Sequence, residues 1–169
     1  TRKQLCFTTQ NKLYLIDKNG DDVAPFPKTF NELVTQGLSI FDYANSGRYR
    51  FVIVQNENIQ LYNRELKAIK GFDYESKGKI TSSPKHIRIG KKDYILIESE
   101  VGNAQILNRR GKPRVKIEDD LVFSNKGIYE YNDRFIATTS TGNLIKIDQS
   151  GEVEKLDLGL GKDHLFSAS

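Results

Sequence analysis

The sequence predicts an all-β fold assembled from four repeated sheets, and three observations predict it. First, an apolar strand runs four times into an Asp or Asn and then a polar turn: NKLYLIDKNG (11–20), ENIQLYNREL (57–66), GNAQILNRRG (102–111) and GNLIKIDQSG (142–151). Second, Asp17, Asn63, Asn108 and Asp148 fall in register at spacings of 46, 45 and 40 residues. A period of that size marks a repeat architecture, in which each unit buries its apolar faces against its neighbours. Third, every copy is preceded by another apolar run: QLCFTT (4–9), RFVIVQ (50–55), DYILIES (93–99) and RFIATTS (134–140). These runs are short and rich in β-branched and aromatic residues, as strands are.

Each element of the unit has its own signal. Residues 51–54 and 94–97 are apolar on both faces, which places them inside sheets covered on two sides. Upstream of three of the runs lies a more alternating segment: LSIFDY (38–43), HIRIG (86–90) and GIYEY (127–131). Downstream of each copy comes a weaker extended stretch: DVAPF (22–26), LKAIKGF (66–72), KPRVKI (112–117) and EVEKLDL (152–158). Their polar residues suit an outer strand that meets water. Asn19-Gly20 and Ser150-Gly151 are hairpin-turn dipeptides, because Gly accepts positive φ without steric cost.

One segment departs from the pattern. In TFNELVTQG (29–37), Thr29 and Glu32 have capping-box spacing, Phe30, Leu33 and Val34 share one helical face, and Gly37 is placed to end a helix. A short helix over 29–36 is therefore expected. The chain opens on the second strand of a unit and ends in DHLFSAS (163–169), which reads as the first strand of another. The expected order is three strands, three full sets of four and one strand, in a single domain over 1–169. The unit boundaries fall near 1–37, 38–84, 85–124 and 125–169.

Composition bounds the rest. The 169 residues are 37% hydrophobic and 28% charged, ordinary for a globular domain with a sizeable core. No apolar run approaches membrane-spanning length, so no membrane insertion is expected. The start, TRKQLCFTTQ, has neither an initiator Met nor a signal-peptide pattern, which leads to the expectation of a piece of something longer. The lone Cys6 forms no internal disulfide and says nothing about compartment. Set between Leu5 and Phe7, it reads as an inert buried thiol.

Units of roughly 40–45 residues with four strands each resemble β-propeller blades. The pattern of strand, Gly-Asn, strand, Asp and turn-Gly is similar to WD40-like and quinoprotein-like (PQQ-type) repeats, most clearly in GNLIKIDQSGEV and NKLYLIDKNGDDV. The resemblance implies a propeller or propeller segment of about four blades in 3+1 phase, where one terminus supplies outer strands and the other an inner strand. A closed four-bladed ring and four consecutive blades of a larger one both satisfy that phase. The chain has no Trp, so the Trp motifs of both families are missing. Architecture carries over and no cofactor is expected.

The candidate site residues are weighed against structural roles. The 17–22 cluster lacks the sixth-position Gly and closing Glu of an EF-type calcium loop, so no metal is expected. Asp17, Asn63, Asn108 and Asp148 instead suit turn caps that accept backbone amide protons. From Arg64 to Lys116 there are 14 Lys and Arg against 6 Asp and Glu, in a chain of net charge +4. The rest of the chain is therefore net acidic. Lys85, Arg88, Lys91, Lys92, Arg109, Arg110, Lys112 and Arg114 are the candidates for binding an anion or a partner, although Lys on an outer strand also discourages strand pairing. His86 and His164 have no second His at metal spacing, and no catalytic motif is present.

The sequence thus predicts a non-catalytic scaffold whose loops on one face, including 44–49 and 76–85, recognise a protein or peptide, or the remaining blades of its own polypeptide. One alternative is the propeller portion of a larger enzyme or sensor with its catalytic residues elsewhere. The other is a basic surface for nucleic acid or an anionic polymer, the weaker because no nucleic-acid motif accompanies the charge. Compartment is not indicated.

Overall fold

A computed structural model describes residues 3–101, 104–117, 121–124, 126–161 and 163–166. Sheet 1 comprises β1 (Leu5–Thr8), β2 (Lys12–Ile16) and β3 (Lys28–Thr29). Sheet 2 comprises β4 (Ser39–Phe41), β5 (Arg50–Gln55) and β6 (Asn58–Tyr62). Sheet 3 holds β7 (Lys85–Ile89), β8 (Lys92–Glu98), β9 (Ala104–Leu107) and β10 (Pro113–Val115). Sheet 4 holds β11 (Tyr129–Tyr131), β12 (Arg134–Thr138), β13 (Asn143–Ile147) and β14 (Val153–Asp157). Within each sheet, strands pair with their sequence neighbours, always antiparallel. The fold is all-β, a propeller segment of four sheets.

Strand alternation decides which sheet touches which. In β8, Ile95 and Ile97 point towards sheet 2 and join a core with Val52, Val54 and Leu61. Tyr94 and Leu96 point the other way, into a core with Phe135, Ala137, Ile145 and Ile147 of sheet 4. Leu13 and Leu15 of sheet 1 meet Phe51, Ile53 and Tyr62 of sheet 2 in a third core. Side chains at successive positions face opposite sides, so an uninterrupted apolar strand is what a sheet between two others requires. Each sheet therefore has a leading face towards the sheet before it and a trailing face towards the sheet after it.

Three expectations give way. No helix forms over 29–36: the amides of Phe30 and Val34 donate to Asn11 O and Gln10 O, at 2.8 and 2.7 Å. Phe30 itself is buried in the core between sheets 1 and 2. Packing at two separated points, and hydrogen bonds to the β1–β2 turn, leave no helical ladder to build. The outer stretches 22–26 and 66–72 shrink to isolated bridges, Ile16 with Asp22 and Tyr62 with Ala68. Pro25 lacks an amide donor in the first, and Gly71 turns away at φ +90° in the second. Finally, residues 163–166 form no strand; His164 and Phe166 rest on Thr138 and Tyr129 of sheet 4. Residues 167–169 of that expected strand lie outside the described residues, as do Gly102 and Asn103 of the third repeat copy.

Candidate functional site

The four in-register residues build one turn four times. Asp17 Oδ1 accepts the amides of Asn19 and Asp21 at 2.8 and 3.1 Å, and Asn63 Oδ1 those of Glu65 and Lys67 at 3.1 and 2.9 Å. Asn108 Oδ1 accepts Arg110 and Lys112 at 2.8 and 3.3 Å. Asp148 Oδ1 accepts Ser150 and Glu152 at 2.8 and 3.0 Å. The Ser150 hydroxyl and these amides hold the Asp148 carboxyl below its ordinary range, against a smaller opposing effect of desolvation. The fourth residue of each turn has positive φ: Gly20, Leu66, Gly111 and Gly151.

These turns share an end of the molecule with the β4–β5 loop and the β7–β8 hairpin, because strands alternate direction along each sheet. The 76–85 loop lies at the other end, against the β5–β6 turn, where the Ile80 amide donates to Asn56 O at 3.0 Å. The two loops expected on one face are thus on opposite ends. At the first end the 42–49 loop is fixed by Asp42, whose carboxylate accepts the Ser46 and Gly47 amides at 3.0 and 2.7 Å. Burial disfavours ionisation of Asp42, but these hydrogen bonds hold its carboxyl below the usual range.

Asp93 organises the charge there. It is 4% exposed, at the start of β8, and faces sheet 2. His86 Nε2 lies 2.8 Å from Oδ1, Arg88 Nη1 donates to Oδ1 at 3.2 Å, and Arg109 Nη2 donates to Oδ2 at 2.5 Å. Burial works against the Asp93 charge, yet the His86 bond and the Arg109 and Arg88 charges prevail and lower its carboxyl. Arg88 and Arg109 also reach the Tyr43 carbonyl, at 2.6 and 3.3 Å, tying sheet 3 to sheet 2. The Tyr43 ring is flanked by Arg50 and Arg109, at 5.1 and 4.7 Å from its centre. Burial pushes its phenol up to about 12, with Arg50 and Arg109 opposing, and its hydroxyl is buried without a partner among the described residues. Two guanidinium groups thus share the Asp93 carboxylate, and a third, that of Arg50, lies over the Tyr43 ring.

The other candidate cations divide. Lys91 and Lys92 project from the β7–β8 hairpin and Arg110 from the β9–β10 turn, all exposed at the Asp93 end. Lys112, beside them, pairs with Asp73 at 2.5 Å between two exposed side chains. Lys85 sits at the opposite end of β7, donating to Ile128 O at 3.3 Å with its ammonium 4.0 Å from the Tyr129 ring centre. Arg114 lies over Tyr94, 5.5 Å from its ring centre, on the sheet 4 side. The structure gathers Arg88, Lys91, Lys92, Arg109 and Arg110, and separates Lys85 and Arg114 from them. Sequence reasoning passed over Asp93, Tyr43 and Arg50. The available signal was Asp93 itself, one carboxylate opening an otherwise apolar run.

A cleft of about 500 Å³ between sheets 1 and 2 is lined by Gln4, Cys6, Leu15, Ile40, Phe51 and Arg64. Among the described residues sheet 1 has no counterpart of β4 to fill it. Burial raises the Cys6 thiol to about 11, against a smaller effect of the Phe7 backbone; it stays protonated and a poor nucleophile at neutral pH.

No family model and no curated protein matches the sequence. Among solved structures the chain is similar to BBS1N in its complex with ARL6DN, in crystals soaked with lead and with mercury. Identity is 14% and 15%, the TM-score 0.61 and 0.62, and the match covers 89% of this chain in both. It covers 47% of the BBS1N chain, so this chain spans about half that length. It is also similar to the computationally designed Ika4 protein, at 10% identity and TM-score 0.54, over 80% of this chain and 78% of that one. Likeness at such identity concerns the fold.

Proposed function

We propose that this chain is a non-catalytic propeller segment that recognises an acidic surface of a protein partner through the basic end of its second and third sheets. The observation that supports the reading is the buried Asp93, which fixes Arg88 and Arg109 and ties the 42–49 loop to sheet 3. Lys91, Lys92 and Arg110 then project from a frame already ordered, so contact with them costs little additional ordering. That BBS1N is seen in complex with ARL6DN supports a partner-binding role by analogy of fold alone.

Poly-L-glutamate serves as the probe for the test. The triple variant Lys91→Glu, Lys92→Glu, Arg110→Glu should weaken its binding about tenfold or more while leaving the melting temperature unchanged, since all three side chains are exposed. Unaltered binding would remove the basic end from consideration. Tighter binding of single-stranded DNA than of polyglutamate, with steep salt dependence, would favour the nucleic-acid reading instead.

A further inference from the structure

Every sheet-to-sheet interface in the molecule joins a trailing face to a leading face in one register. The residue just before each Asx turn, Tyr62, Leu107 or Ile147, lies on a leading face and is buried against the previous sheet. The residue one earlier, Leu15, Leu61 or Ile106, lies on a trailing face and is buried against the next sheet. Sheet 1 carries the same leading positions: Ile16 precedes Asp17, and β1–β2 pairing sets Leu5 across from Ile16 and Phe7 across from Tyr14. Phe7 and Tyr14 stack with ring centres 5.0 Å apart. Yet Leu5 is 58% exposed, and Phe7, Tyr14 and Ile16 are only partly buried.

The turns carry a second, separate sign. A Cβ added to Gly151 of sheet 4 would stand 2.1 Å from Lys116 O, beyond the end of sheet 3, and one added to Gly111 of sheet 3 would meet Asp73 and Tyr74, beyond sheet 2, at 3.0 Å. Gly20, in the same place on sheet 1, has nothing within 4 Å. The leading side of sheet 1 is a socket of the kind that sheets 2 to 4 present and sheets 1 to 3 fill.

The trailing face of sheet 4 does not match that socket. Where sheets 1 to 3 have Leu15, Leu61 and Ile106, it has Lys146, paired with Glu154 at 3.1 Å. His164 and Phe166 also lie against it, His164 Nε2 2.8 Å from the Thr138 hydroxyl and the Phe166 ring 5.3 Å from that of Tyr129. Seating it on Leu5, Phe7 and Tyr14 would bury an ammonium and a carboxylate against apolar rings, which is unfavourable. That argues equally against closure within the chain and against head-to-tail stacking of two copies.

We propose that the leading face of sheet 1 seats the trailing face of a further propeller sheet, one with aliphatic residues where sheets 1 to 3 have Leu15, Leu61 and Ile106. The interface continues the series of three already formed and is independent of what the basic end binds. Unlike an isolated repeat, a sheet so placed gains the neighbour that its apolar pattern anticipates.

A copy of residues 38–93 fused ahead of Gln4 in the full chain tests this: strand pairing sets Leu5 where Ile95 stands in sheet 3, so the copied β7 hairpin meets β1 in its normal register. Amide exchange in β1 and β2 should slow about tenfold or more, and a Leu61→Asp change in the added copy alone should abolish the effect. Unchanged exchange with a folded added copy would overturn the proposal. Two measurements on the unextended chain stand apart from that fusion. The double variant Phe7→Ser, Tyr14→Ser should keep the melting temperature within about 3 °C, and a fall well beyond that would show the face already packed. Sedimentation should give a monomer, whereas a dimer dissolved by Tyr14→Lys would assign the face to a second copy and overturn the proposal.

Discussion

Sheets 1 and 3 are written in nearly the same pattern and buried to different depths. From Asp93 to Glu98 β8 is buried at every position, whereas in β2 only Leu13 and Leu15 are buried. Both strand pairs offer apolar side chains to two sides. Sheet 3 stands between two cores and sheet 1 borders one. Burial in this molecule is therefore a property of position in the series more than of local sequence.

The largest expected contrast is in side-chain truncation. Ile95→Ala, removing a fully buried side chain between sheets 2 and 3, should cost about 3 kcal/mol in urea unfolding, and Tyr14→Ala on the open face of sheet 1 under about 1 kcal/mol. Comparable costs would break the comparison. The equivalent glycines should differ next: Gly151→Ala combines positive φ with collision against Lys116 O and should cost about 3 kcal/mol, while Gly20→Ala carries conformational strain alone, about 1 kcal/mol. Thermal melts of the two variants would check it.

Asp93 should come third. Asp93→Asn leaves Arg88 and Arg109 without their carboxylate; because both are over 40% exposed, water offsets part of the loss, and about 2 kcal/mol is expected. The pH dependence follows from the same contact. The folded Asp93 carboxyl titrates below its unfolded value, so its contribution is complete above the unfolded pKa of about 3.9 and disappears as pH falls through the folded one. Below about pH 4 the parent chain should lose stability more steeply than Asp93→Asn; parallel curves would show that the ion cluster contributes nothing. The smallest effect should be at the turns, where Asp148→Ala removes the acceptor of the Ser150 and Glu152 amides and is expected to lower the melting temperature by less than any change above, measured against the same change at Asp17.

The period and the paired apolar runs made the four sheets legible before any coordinates, since register and strand alternation are local signals. The segment over 29–36 misled because its helical spacing is also the spacing at which Phe30 and Val34 reach a core and a neighbouring turn. Asp93 was passed over because one charge in an apolar run reads as a boundary. Its partners Arg88 and Arg109 are near it only across a hairpin and a neighbouring strand. The placing of loops 44–49 and 76–85 at opposite ends was legible in principle, because in an antiparallel sheet it follows from counting strands.

The four Asx turns have one more consequence. The capping oxygen and the positive-φ fourth residue fix the backbone, while the two residues between them project from it: Lys18 and Asn19, Arg64 and Glu65, Arg109 and Arg110, Gln149 and Ser150. These pairs already differ in charge and size on one shared scaffold geometry. At the exposed Lys18, Asn19 and Arg110 the rim offers slots in which grafting can rewrite surface chemistry, whereas Arg109, held on Asp93, and Gln149, accepting from the Tyr94 hydroxyl, are tied to the fold beneath.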